Sequence, residues 1–141
     1  RNPKASVTQQ ACALFVALAE EGVTDGPIAQ AVAKLYLDPL LAREGARPEC
    51  LVLGCTHFPA LKATIARIAG PGITLVDSAA TTAAAVERLL ANAHLAHSGN
   101  APEAPRFLAT DAPERFARVG EIFLGWAIPP EAVELVDLQQ L

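Results

Sequence analysis

Apolar positions along this chain fall into helical stripes and short continuous runs that take turns. Leu14, Phe15 and Leu18 form the first stripe and predict a helix over 12–21, stopped by Gly22. A second helix is predicted from Asp25 as its cap, with Pro27 in the first turn and Ile28, Val32 and Leu35 at core spacing. Pro39 removes a helix hydrogen bond and biases Asp38 away from the α region. This helix should therefore end or kink near Leu37, with one further turn available over 40–44. Residues 50–54, Cys50-Leu-Val-Leu-Gly54, carry no polar group other than a thiol and read as a strand buried on both faces, as in a parallel sheet.

Pro59 then opens a helix marked by Leu61, Ile65 and Ile68 that runs towards Gly70. Residues 73–76 are a second apolar strand ending at Asp77, and Ser78 or Thr81 can cap the helix carrying Val86, Leu89 and Leu90. Small and polar residues over 94–105, with Ser98-Gly-Asn100 among them, read as a loop. A strand over 107–110 follows, then a helix begun by Asp111 and Pro113 whose Phe116, Val119 and Phe123 face one way. The last strand, 133–138, comes after the break at Pro129 and Pro130, and a weaker one over 5–10 rests on Val7 and Thr8. Strands interleaved with helices predict an α/β fold, an open and mostly parallel sheet with flanking helices.

Composition narrows the class. With 52% hydrophobic and 18% charged residues the chain should bury a core, and its net charge of -4 gives no electrostatic reason to expect nucleic acid. No apolar run reaches the length of a membrane span, and Arg1-Asn-Pro-Lys4 has no signal-peptide shape, so a cytoplasmic protein without a membrane partner is expected. The absence of methionine suggests a chain cut from something longer. Three cysteines without framework spacing argue for reduced thiols. Cys50, Cys55 and His57 lack a second ligand pair at finger spacing, so no metal is expected.

Cys55, Thr56 and His57 fall in a strand-to-helix turn, at the sheet edge where open α/β folds bind ligands. The helix N-terminus there would lower the thiol pKa and attract a carboxylate. Asp77 ends a strand on the same edge. Glu20 and Glu21 sit in the last turn of their helix, where the macrodipole disfavours negative charge; they are either a solvated helix end or carboxylates kept for a site. Cys50 lies about 16 Å from Cys55 at ~3.3 Å per strand residue, too far to face the same atom. Both Cys50 and Cys12 read as core thiols.

The turn Gly54-Cys-Thr-His-Phe-Pro59 resembles the second catalytic-cysteine motif of glutamate racemases, LGCTH followed by an aromatic residue and proline. Ala11-Cys-Ala-Leu-Phe-Val16 with Glu20-Glu-Gly22 is similar to the family's ACPLFV and EEG segment, except that Ala13 replaces a proline. Tyr36-Leu-Asp-Pro-Leu40, Val76-Asp-Ser78 and the stretch from Phe107 through Phe123-Leu-Gly125 agree in order. The family's N-terminal motifs, including the first catalytic cysteine, have no counterpart here. The chain thus resembles the C-terminal half of a racemase.

That resemblance implies a two-lobed aspartate/glutamate racemase-like fold, with residues 1–77 in one lobe and 78–141 returning to the other. It implies interconversion of L- and D-glutamate without cofactor or metal by two cysteines on opposite faces of the α-carbon, supplying D-glutamate for peptidoglycan. On the matching positions Cys55 is an acid/base, Thr56 and His57 bind substrate, His57 can assist Cys55, and Glu20 tunes both. The partners implied are glutamate and the missing half with the second cysteine, with a homodimer left open, and the fragment alone should be inactive. Cys12 matches a family cysteine that is not the catalytic partner. Two alternatives stay open: a non-catalytic α/β binding or structural domain, and an aspartate racemase or maleate isomerase type, which His57 disfavours.

Overall fold

The first helix, α1 (Ala13–Glu20), buries Phe15 and Ala19 and half-buries Leu18. Leu14 is exposed, so the buried stripe is displaced by one position from the predicted one. No side chain caps α1 locally; instead the Leu14 N–H donates to the Tyr36 hydroxyl at 3.2 Å. Its C-terminus closes with two bonds, Val23 N to Leu18 O at 2.8 Å and Gly22 N to Ala19 O at 3.1 Å, with Gly22 at φ +73°. Only glycine adopts that left-handed conformation without cost, which is why the chain turns there.

These elements belong to a computed structural model that describes residues 5–42, 47–97, 99 and 104–139. The chain forms two units, Arg1–Ser78 and Ala79–Leu141.

In the first unit α2 (Gly26–Leu41) starts at Asp25, whose carboxylate accepts from Gly26 N at 2.7 Å. It buries Ala29, Ala33 and Leu37, while the predicted core positions Ile28 and Leu35 point outward. Two alanines at i and i+4 let a neighbouring backbone approach, and α2 packs on α3 (Lys62–Ala69). The helix does not end or break at Leu37. Pro39 is one turn from the end, Ala42 N still bonds Asp38 O at 2.9 Å, and Leu37, Leu40 and Leu41 pack in the core, so packing outweighs the bond that Pro39 cannot make. The predicted further turn extends over 43–44, outside the described residues.

Strands β1 (Cys50–Leu53) and β2 (Thr74–Asp77) pair in parallel, with Cys50 opposite Thr74 and Leu53 opposite Asp77. Leu51, Leu53 and Leu75 face the core formed with Phe15, Leu61 and Ile65. The other face of β1 is open: Val52 is 73% exposed and Cys50 is exposed as well. Burial on both faces and a core Cys50 are therefore not what the first unit adopts: among its described residues, the helices pack on the Leu51 and Leu53 side of β1.

In the second unit α4 (Ser78–Asn92) buries no residue, and Val86, Leu89 and Leu90 are exposed. Strands β3 (Phe107–Ala109) and β4 (Val133–Leu135) pair in parallel, Phe107 opposite Val133. They pack with α5 (Pro113–Leu124) through Ala109, Ala117, Ile128 and Val133. Phe116 and Phe123, which the predicted stripe places on one face, are exposed, and Ala117 takes the buried position. No side chain caps α5: its cap position is Ala112 at φ +43°, not Asp111.

The fold is α/β with short parallel strands and flanking helices, drawn as two two-stranded sheets among the described residues. Residues 5–10 form no strand; they are exposed and join neither ladder, and a strand without a ladder neighbour is not stable. The predicted loop is free of helix and strand over 95–97, at 99 and over 104–105; Ser98, Asn100 and 101–103 lie outside the described residues. No described helix is long and apolar enough to cross a membrane.

Candidate active site

Leu53 buries the end of β1, and the chain then turns through Gly54 into a single 3-10 turn over Phe58–Leu61 that runs directly into α3. Phe58 N bonds Cys55 O and Ala60 N bonds His57 O, both at 3.2 Å, which folds the turn tightly enough to bring two side chains together. Cys55 Sγ lies 3.7 Å from His57 Nδ1. The other imidazole nitrogen, Nε2, lies 2.7 Å from Glu20 Oε1, contributed by the last residue of α1. Phe15 holds α1 against this turn: its ring meets Phe58 edge-on at 5.3 Å and Tyr36 at 5.4 Å.

The electrostatics follow from that line of three groups. The Cys55 thiol is pulled below its ordinary range, first by the His57 backbone N–H and further by the His57 ring, against the opposing effect of burial. His57 is pushed up by Cys55 and by Glu20. With Glu20 ionised, Nε2–H donates to it, and Nδ1 either accepts from the thiol or, protonated, donates to the thiolate. The thiolate with an imidazolium is the state that both shifts favour. Glu20 and His57 are each about a quarter exposed, at 25% and 27%, and Cys55 is half-buried. Thr56 is exposed on the same turn. No group of three or more potential metal ligands occurs among the described residues.

No protein-family model matches the chain. A curated glutamate racemase from Syntrophus aciditrophicus is 46% identical over 136 residues, which are 96% of this chain and 48% of that protein. The crystal structure of glutamate racemase from Francisella tularensis in complex with D-glutamate superposes with a TM-score of 0.80 at 35% identity, over 99% of this chain and 50% of that one. This chain is a homologue of the glutamate racemases. Thermus thermophilus glutamate racemase, solved with beta-chloro-D-alanine, is 40% identical with a TM-score of 0.76, over 94% of this chain and 48% of that one. The chain spans about half the length of the curated racemases it matches.

Within this racemase-like half, the residues singled out from sequence as Cys55, Thr56, His57 and Glu20 lie along one turn and the helix end beside it. Sequence reasoning passed over Lys62, whose Nζ lies 2.6 Å from Asp77 Oδ2. Asp77 is 5% exposed and registers with Leu53, two residues before Cys55, so this pair ties the start of α3 to the strand edge beside the thiol. A signal was present: Lys62 puts a cation at a helix N-terminus and Glu20 an anion at a helix C-terminus, each against the macrodipole. Both meet an opposite or titratable partner. Thr64 and Arg67 were also missed, Thr64 because a hydroxyl among apolar helix positions gives no periodicity signal.

Proposed function

We propose that this chain is the C-terminal half of a cofactor-independent glutamate racemase, with Cys55 exchanging one proton with the α-carbon of glutamate. The observation that carries the reading is the line Glu20, His57, Cys55, at 2.7 and 3.7 Å. In one direction the Cys55 thiolate takes the α-proton and becomes a thiol, while a thiol from the half outside this chain gives its proton to the opposite face. The reverse reaction exchanges the two roles. His57 holds the thiolate form of Cys55, Glu20 holds His57, and Thr56 and His57 bind substrate. A thiol suits both roles because its pKa, ~8.5 when unperturbed, lets it serve as acid and base near neutrality. The α-carbanion character of the transition state needs donors and exclusion of water, which two lobes closing on the substrate would supply.

D-glutamate bound to the Francisella relative supports glutamate as the substrate. The same reading makes the enzyme cytoplasmic, supplying D-glutamate for peptidoglycan, with residues 1–77 and 78–141 in different lobes. The test is racemisation of L-glutamate followed by circular dichroism. A full-length protein containing this chain is expected to be active, and Cys55→Ser to lower kcat by about 10²- to 10⁴-fold, the usual worth of one acid/base group. The 141-residue chain alone is expected to be inactive in both directions. Full activity from that chain alone would overturn the two-cysteine reading.

A further inference from the structure

Glu20 and His57 are 37 residues apart, so their 2.7 Å contact depends on how two separate segments are held together. The segment after Glu20 closes in the turn at Gly22 and Val23, which fixes where Thr24 and Asp25 begin the next helix. The segment after His57 passes through one 3-10 turn into α3 without a break, so Thr64 and Arg67 are rigidly offset from His57. These two segments meet through three side chains. The wholly buried Thr64 hydroxyl donates to Thr24 O at 2.8 Å and lies 3.3 Å from Asp25 Oδ1. Arg67 grips Asp25 with both nitrogens, Nη1 to Oδ1 at 2.6 Å and Nη2 to Oδ2 at 3.1 Å. Asp25 also caps α2 through Gly26 N.

We infer that Thr64, Asp25 and Arg67 form a clasp that sets the distance between Glu20 and His57 and are positioning residues for Cys55. The inference rests on the proposed relay of Glu20, His57 and Cys55. Packing alone does not ask for this clasp: valine would fill nearly the same volume as the wholly buried Thr64. What the hydroxyl adds is axial register between the end of α1 and α3. A slip of half an ångström would take the Glu20 contact from 2.7 Å to about 3.2 Å, the outer edge of an N–H···O bond. The titratable groups facing His57 among the described residues are Cys55 on its own turn and Glu20 on α1.

The test uses the 141-residue chain and two readouts that do not need activity: the His57 midpoint by NMR titration, and Cys55 alkylation by iodoacetamide located by mass spectrometry. Loosening the clasp withdraws the Glu20 anion from His57, so the His57 midpoint falls. With less imidazolium beside it, the Cys55 midpoint rises. Thr64→Val is expected to lower the first and to slow alkylation at neutral pH roughly threefold as the thiolate fraction falls. Thr64→Ser should restore both, and Arg67→Met, at an exposed ion pair, should move both in the same direction as Thr64→Val. If Glu20→Gln moves both readouts while Thr64→Val, folded by circular dichroism, and Arg67→Met move neither, the clasp is refuted and the relay survives. Should Thr64→Val fail to fold, Arg67→Met decides by the same criterion. If Glu20→Gln moves neither readout, the relay falls and the clasp falls with it.

Discussion

Cys55 and His57 carry ordinary pKa values in the wrong order for an ion pair: a thiol near ~8.5 and an imidazole near ~6.5 are never both mostly charged. In the folded chain the His57 backbone N–H and ring pull the thiol down, and the thiolate with Glu20 pushes the imidazole up, so the two midpoints move towards each other as one coupled pair. Both shifts favour the ion pair, which is lost to acid by protonation of sulfur and to base by loss of the imidazolium proton. His57→Asn is therefore expected to return the Cys55 alkylation midpoint towards ~8.5 and to slow alkylation at pH 7. An unchanged alkylation profile would mean that the backbone N–H groups alone set the thiol. This much of the site was legible, because a cysteine and a histidine two residues apart share one turn. The 37-residue separation of Glu20 hid its partner from any local pattern: the macrodipole argument flagged it together with Glu21, and the family resemblance linked it to Cys55 and His57.

At the scale of elements, the sequence pattern located helices and strands well but assigned their faces poorly. Buried positions in α1, α2 and α5 are held largely by alanine, at Ala19, Ala29, Ala33 and Ala117, while Ile28, Leu35, Phe116 and Phe123 lie outside. A stripe read from large residues follows the wrong side whenever close backbone approach is what the packing uses. Phe15 is the exception, a large side chain 2% exposed that joins α1, α2 through Tyr36, and the Cys55 turn through Phe58. Phe15→Ala is expected to destabilise the first unit by about 3–5 kcal/mol in urea denaturation, and to loosen Glu20 from His57. Lys62→Met leaves the buried Asp77 without the ammonium. Because the lysine is 45% exposed and its charge is partly screened, the expected cost is only about 1–3 kcal/mol, and Lys62→Arg should recover most of it. A variant as stable as the parent would show that Asp77 relies on its other contacts.

For the molecule as a whole, the deciding feature is apolar surface left exposed within each unit among the described residues. Val52 on β1 and Val86, Leu89 and Leu90 on α4 are exposed, and among the described residues the buried core of the second unit is Ala109, Ala117, Ile128 and Val133, with Phe107 packed against it. Parallel strands are ordinarily covered on both faces, and a 15-residue helix with no buried side chain has little but its own propensity to hold it. The sequence pattern could not report this, because it marks which residues favour burial and not whether the covering layer belongs to the same chain. On the proposed reading the layer is supplied by the rest of the racemase. The 141-residue chain is then expected to bind a hydrophobic dye such as ANS and to self-associate with rising concentration, while the full-length protein does neither to the same degree. Hydrogen exchange resolves the same point by element: amides of α3, which packs against α2 in the first core, should be protected most and those of α4 least, and protection of α4 should rise in the full-length protein. If α4 amides are as protected in the isolated chain as those of α3, its apolar face is already covered there, and the other half of the enzyme is not what stabilises it.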